Sequence, residues 1–136
     1  LGGQHRRRLS VLAASAALAR IHVDFAWVVI VANGVTGAWA LAADRFAAVR
    51  HRALWWSVWG AEGTVFVQVA MGVALVQGRP TEPYQFHMFY GFVAAFSVAI
   101  IFSYRSQLAA HRYRLYGFGG LFLMGLGLRA LAVGPH

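Results

Sequence analysis

The chain has 136 residues, of which 60% are hydrophobic and only 12% charged, and its mean hydropathy is +0.58. Soluble domains are about 45–50% apolar and about 25% charged, so an ordinary aqueous globule is excluded, as is a disordered chain, which needs low hydrophobicity. Cysteine is absent, which removes disulfides, thiolate zinc sites, iron–sulfur clusters and cysteine nucleophiles together. An integral membrane protein remains.

Every cation is an arginine, and the net charge is +8. In a soluble protein that balance would suggest nucleic acid. Here the arginines cluster between apolar runs, the pattern of residues that flank membrane spans and face anionic lipid. No basic face with interleaved stacking aromatics lies outside those runs, so membrane lipids are expected as partners and nucleic acid is not.

In chain order, Arg6-Arg7-Arg8 is followed by the alanine-rich residues 9–19. That stretch is too short to cross about 30 Å of hydrocarbon, and it predicts a short N-terminal interfacial helix leading into the first span. Four spans follow, at residues 22–43, 53–77, 86–104 and 115–133. The first contains Asp24 near its start, the second Glu62, the third no charge, and the fourth Arg129 near its end. Gly78-Arg79-Pro80-Thr81-Glu82-Pro83 is a strong breaker between the second and third spans. With short connections the expected fold is all-α: one transmembrane four-helix domain over residues 1–136, running up-down-up-down.

Small residues recur on the spans: Gly34 and Gly37 on the first, Gly91, Ala95 and Ala99 on the third, and Gly117, Gly119, Gly120, Gly125 and Gly127 on the fourth. Such residues let helices approach closely, either within the bundle or against another membrane subunit or a second copy. Arg45, Arg50 and Arg52 in one connection and Arg105, Arg112 and Arg114 in another place those loops in the cytoplasm by the positive-inside rule, whereas Arg6, Arg7, Arg8 and Arg20 argue the opposite.

The first and third spans begin alike. His22-Val23-Asp24-Phe25-Ala26-Trp27-Val28 aligns with His87-Met88-Phe89-Tyr90-Gly91-Phe92-Val93, and the step from Arg45 to His51-Arg52 matches that from Arg105 to His111-Arg112. Two helical hairpins related by a parallel duplication would produce this pattern. His22 and His87 would then face one another at one depth, with His51 and His111 at a second. Facing histidines on different helices can ligate a haem b iron or, with Asp24, a metal ion. The pattern resembles membrane di-haem b-type cytochromes, which pair histidines near both faces, and the resemblance covers only these four histidines. Histidine at a span end also serves as an interfacial residue with one nitrogen in water.

Ionisable groups in hydrocarbon cost about 2.5–3.5 kcal/mol on insertion scales, so Glu62 and Arg129 need reasons. Glu62 lies near mid-membrane, at the level of Asn33 and Ser97, and is expected to be protonated and to form an interhelical polar clasp or to carry protons. Asp24 and Arg129 fall at the same end of the bundle and are expected to pair, or to hold an acidic ligand group such as a haem propionate or a lipid phosphate.

Phosphate-loop, zinc-protease and nucleophile-elbow motifs are absent from the sequence, and all three prolines lie outside the spans, which disfavours a broken-helix carrier. The expected function is therefore a non-catalytic accessory subunit that packs against other subunits of a bioenergetic complex in a bacterial inner membrane. The alternative is a small b-type cytochrome that exchanges electrons with quinone, with His22 and His87 as axial ligands.

Overall fold

The computed structural model describes residues 1–134, and every regular element among them is helical. Four long helices, α1 (Gly2–Arg45), α2 (Arg52–Leu75), α3 (Gln85–Ser103) and α4 (Arg112–Ala132), are joined by connections that each contain one short 3-10 turn. All four segments are long and apolar enough to cross a membrane. Large apolar side chains such as Trp56, Phe66, Phe96, Phe118 and Phe122 stand exposed on the outer surface. A surface of that kind suits lipid, where the helix satisfies its own backbone groups and apolar side chains face the acyl chains.

The N-terminus departs from the sequence expectation. No separate interfacial helix forms, because α1 runs unbroken for 44 residues, about 66 Å at 1.5 Å per residue. Nothing in the sequence stops it: no glycine lies between Gly3 and Gly34, and no proline precedes Pro80. Alanine and arginine, which fill the stretch, are strong helix formers. Packing begins further along, with His22 and Phe25 half-buried and Val29 the first fully buried residue of α1. The other end of the first hairpin behaves as the breaker chemistry requires: after α2 the chain turns at Gly78, whose φ of 71° is open only to residues without a Cβ penalty.

The core is built on a close crossing of α1 and α4. A Cβ added at Gly37 would lie 2.8 Å from the Gly117 carbonyl oxygen, and one added at Gly120 would lie 2.7 Å from the Asn33 carbonyl oxygen. Around this crossing Gly34 receives Met124, Gly127 receives Ile30, and Gly119 receives Ile101 of α3. Most of the glycines that stand out in the sequence are therefore used inside the bundle, where small residues permit the dispersion contacts that drive helix association in lipid. Gly125 is different, with nothing within 4 Å of a built Cβ.

Buried side chains from all four helices, among them Val29, Leu54, Val58, Val98 and Leu123, fill the space around the crossing. Asn33 is 1% exposed and ties α1 to α2: its Nδ2 donates to the carbonyl of Val29 at 2.8 Å and to that of Ala61 at 3.1 Å. At the arginine-rich end the two loops meet. Asp44 pairs with Arg114 at 3.0 Å, the Arg50 guanidinium lies 4.9 Å from the Tyr113 ring centre, and Trp39 donates to the Val49 carbonyl at 2.8 Å. By contrast, α2 and α3 scarcely touch, which leaves a gap on one side of the bundle.

Candidate functional site

That gap opens into a cavity of about 440 Å³ lined by all four helices, with walls that are mostly apolar. Its size falls in the range of small-molecule and cofactor sites, about 300–1,000 Å³. The polar groups that reach it are few: His22 of α1, Gln68 of α2, His87 and Tyr90 of α3, and Arg79 and Tyr84 from the connection between α2 and α3.

The two histidines are neighbours, with ring centres 5.9 Å apart and planes at 81°. Each is seated against a glycine. A Cβ at Gly72 would meet His22 Cε1 at 3.2 Å, and one at Gly134 would meet His87 Nδ1 at 3.1 Å. His87 has a defined orientation, since its Nδ1 lies 2.8 Å from the Ala130 carbonyl oxygen. A carbonyl accepts only, so Nδ1 carries the proton and Nε2 keeps its lone pair free. His22 is held differently: Gln68 Nε2 donates to the His22 main-chain carbonyl at 2.7 Å. The side-chain atoms left over, Nδ1 of His22 and Oε1 of Gln68, are both buried and without a hydrogen-bond partner. Native interiors rarely leave such atoms unpaired, and each instance calls for an explanation.

The remaining polar residues singled out in the sequence do not join this cluster. Asp24 is exposed and forms no ion pair with Arg129; among the described residues the one salt bridge is Asp44–Arg114. Two residues along a helix are about 200° of rotation, so Asp24 points away from the cavity side that His22 occupies. Arg129 instead donates a long hydrogen bond to the Tyr90 hydroxyl at 3.4 Å. Among the described residues no group of three or more His, Asp or Glu side chains gathers as a metal site, so Asp24 does not complete one with the two histidines. Glu62 is buried at 8% exposure, but the expected clasp is not made. The Asn33 amide is committed to main-chain carbonyls, and the Ser97 hydroxyl donates to the Val93 carbonyl one turn back, at 2.7 Å. His51 accepts a hydrogen bond from the Ala53 amide at 3.0 Å and so caps α2.

Gln68 and Gly72 were the residues that sequence reasoning passed over, being neither charged nor part of a motif. Their spacing holds the missing signal: at i and i+4 they share one helix face, and that face meets His22. The chemistry of the cluster is clear in outline, with one bare imidazole nitrogen, a second imidazole beside it, an apolar chamber around both and an arginine at its mouth. No protein-family model matches this chain, and neither a curated protein nor a solved structure matches it.

Proposed function

We propose that the protein is a small electron carrier of the b-type cytochrome kind, whose cavity would hold a haem b through His22 and His87. The observation that carries the reading is the histidine pair. The two rings come from different helices, with centres 5.9 Å apart at the edge of an apolar cavity, so both could contribute a nitrogen to one iron. The Ala130 carbonyl fixes the His87 tautomer that leaves Nε2 free to ligate. The apolar walls suit a flat macrocycle, and Arg79 at the mouth suits its carboxylates. When bound, the haem supplies one-electron chemistry; the protein binds it, orients the ligands and excludes water. The gap between α2 and α3 gives a membrane quinone a route to the edge of the site.

The same reading includes two repeated hairpins running up-down-up-down. Contacts pair residues in reversed order, Asp44 with Arg114, Gly37 with Gly120 and Ile30 with Gly127, and likewise Asn33 with Ala61 and His22 with Gly72. His51 and His111 each stand immediately before a helix, α2 and α4, as the duplication expects. The arginine-rich loops at one end suit a cytoplasmic position in a bacterial inner membrane.

The test is purification in mild detergent after expression with added haem precursor. A Soret band, with about one haem per chain by pyridine haemochrome and its loss in both His22→Ala and His87→Ala, is the expected result. A folded wild type that shows no Soret band after titration with haem overturns it. The accessory-subunit reading is favoured by a different observation: the outer face of α2 carries exposed Trp56 and Trp59 beside Gly60 and Gly63, which have nothing within 4 Å of a built Cβ. A haem-free preparation that brings down a second membrane protein, lost on Gly60→Leu, would support that one.

A further inference from the structure

We infer that Gln68 is the positioning residue for His22, doing for that imidazole what the Ala130 carbonyl does for His87. The inference rests on the haem reading above. A histidine that ligates through Nε2 must carry its proton on Nδ1, and that N–H needs an acceptor to fix the ring and raise the basicity of the ligating nitrogen. For His87 the acceptor is in place at 2.8 Å. For His22 no acceptor bonds Nδ1, although the atom is buried.

On the neighbouring helix, Gln68 presents the complementary deficit. Its amide nitrogen is anchored on the His22 main-chain carbonyl at 2.7 Å, while its Oε1 is buried and accepts from nothing. A lone N–H donor and a lone carbonyl acceptor therefore belong to two residues that are already tied together. The His22 ring rests on Gly72, one turn further along the face of α2 that carries Gln68. With no side chain at Gly72, the ring lies close against the α2 main chain. Ligation at Nε2 would set the Nδ1–H tautomer, and one hydrogen bond from Nδ1 to Oε1 would then satisfy both orphaned atoms. Each histidine would thus be oriented by a carbonyl, one from the main chain of α4 and one from a side chain of α2.

The experiment compares haem-loaded wild type with Gln68→Leu and Gln68→Glu. Loss of such an outer partner typically weakens metal-group affinity about 10–100-fold, so Gln68→Leu should release haem to an apo-globin acceptor faster by that order. Its midpoint potential should rise, and part of its ferric EPR signal should turn high-spin as the His22 bond loosens. Gln68→Glu keeps an acceptor at this position while giving up the amide donor to the His22 carbonyl; it should hold haem better than Gln68→Leu, remain low-spin and shift the midpoint potential the other way. If Gln68→Leu does not fold, judged by circular dichroism, the sign of the Gln68→Glu shift decides alone. Wild-type release rate, spin state and potential in the variants overturn the role of Gln68 while leaving the haem reading intact. A folded wild type that takes up no haem overturns both.

Discussion

At the scale of single residues, position on the helix decides more than residue type. Gly120 and Gly125 stand five apart on α4, yet a Cβ on the first would press on the Asn33 oxygen at 2.7 Å and the Gly37 Cα at 2.8 Å, both of them main chain, while one on the second meets nothing. Gly120→Ala should therefore cost about 1–3 kcal/mol through overpacking. Gly125→Ala should be neutral or gain up to about 1 kcal/mol from helix propensity. Reversible unfolding in mixed micelles checks both. The same geometry separates two acids that look equivalent on paper. Asp24 and Arg129 should behave independently, their stability effects adding within about 0.3–0.5 kcal/mol in a double-mutant cycle of Asp24→Asn and Arg129→Gln. Asp44 and Arg114, bonded at 3.0 Å with Arg114 61% exposed, should show a coupling of about 0.2–1 kcal/mol. A larger coupling at the first pair would contradict the geometry described. Depth along the membrane could be counted from the sequence, which brought Asp24, Arg129, His22 and His87 to one level. Angle around the helix depends on the packing, and of these four it assigns only the two histidines to the cavity.

At the scale of elements, hydropathy located the four spans well. The apolar runs at 53–77 and 86–104 match α2 and α3 to within a few residues at each end, because an apolar run of that length, interrupted only by Glu62 in the first, leaves the chain few alternatives in lipid. The start of α1 was harder to read. Charge marks where a span leaves the membrane, whereas only glycine, proline and capping chemistry mark where a helix ends, and residues 4–33 contain no such stop. Residues 1–14 are exposed throughout, so the extension adds little to the bundle. Deleting residues 1–14 should leave the melting temperature in detergent and the haem stoichiometry unchanged; a clear drop in either would mean that the extension packs on the bundle after all. The polar contacts between helices were the least legible of all. Asn33 and Glu62 fall at one level, yet the Asn33 Nδ2 donates to main-chain carbonyls on two helices and no hydrogen bond joins the pair; no periodicity in a sequence reports which carbonyls a crossing will bring near.

For the whole molecule, the uneven packing matters most. Helices α1 and α4 meet through glycine, α2 clings to α1 and α3 to α4, and the remaining seam between α2 and α3 is nearly unsealed. Its rim carries Val69 and Val73 on one side and Gly91 and Phe92 on the other, all of them surfaces that lipid tails can wet. A lipid-soluble occupant would thus have a way into the chamber within the plane of the bilayer. Occupancy then follows the mole fraction of the compound in the membrane, so diluting a preparation with buffer should leave it loaded, whereas adding empty liposomes or surplus micelles should draw the compound out.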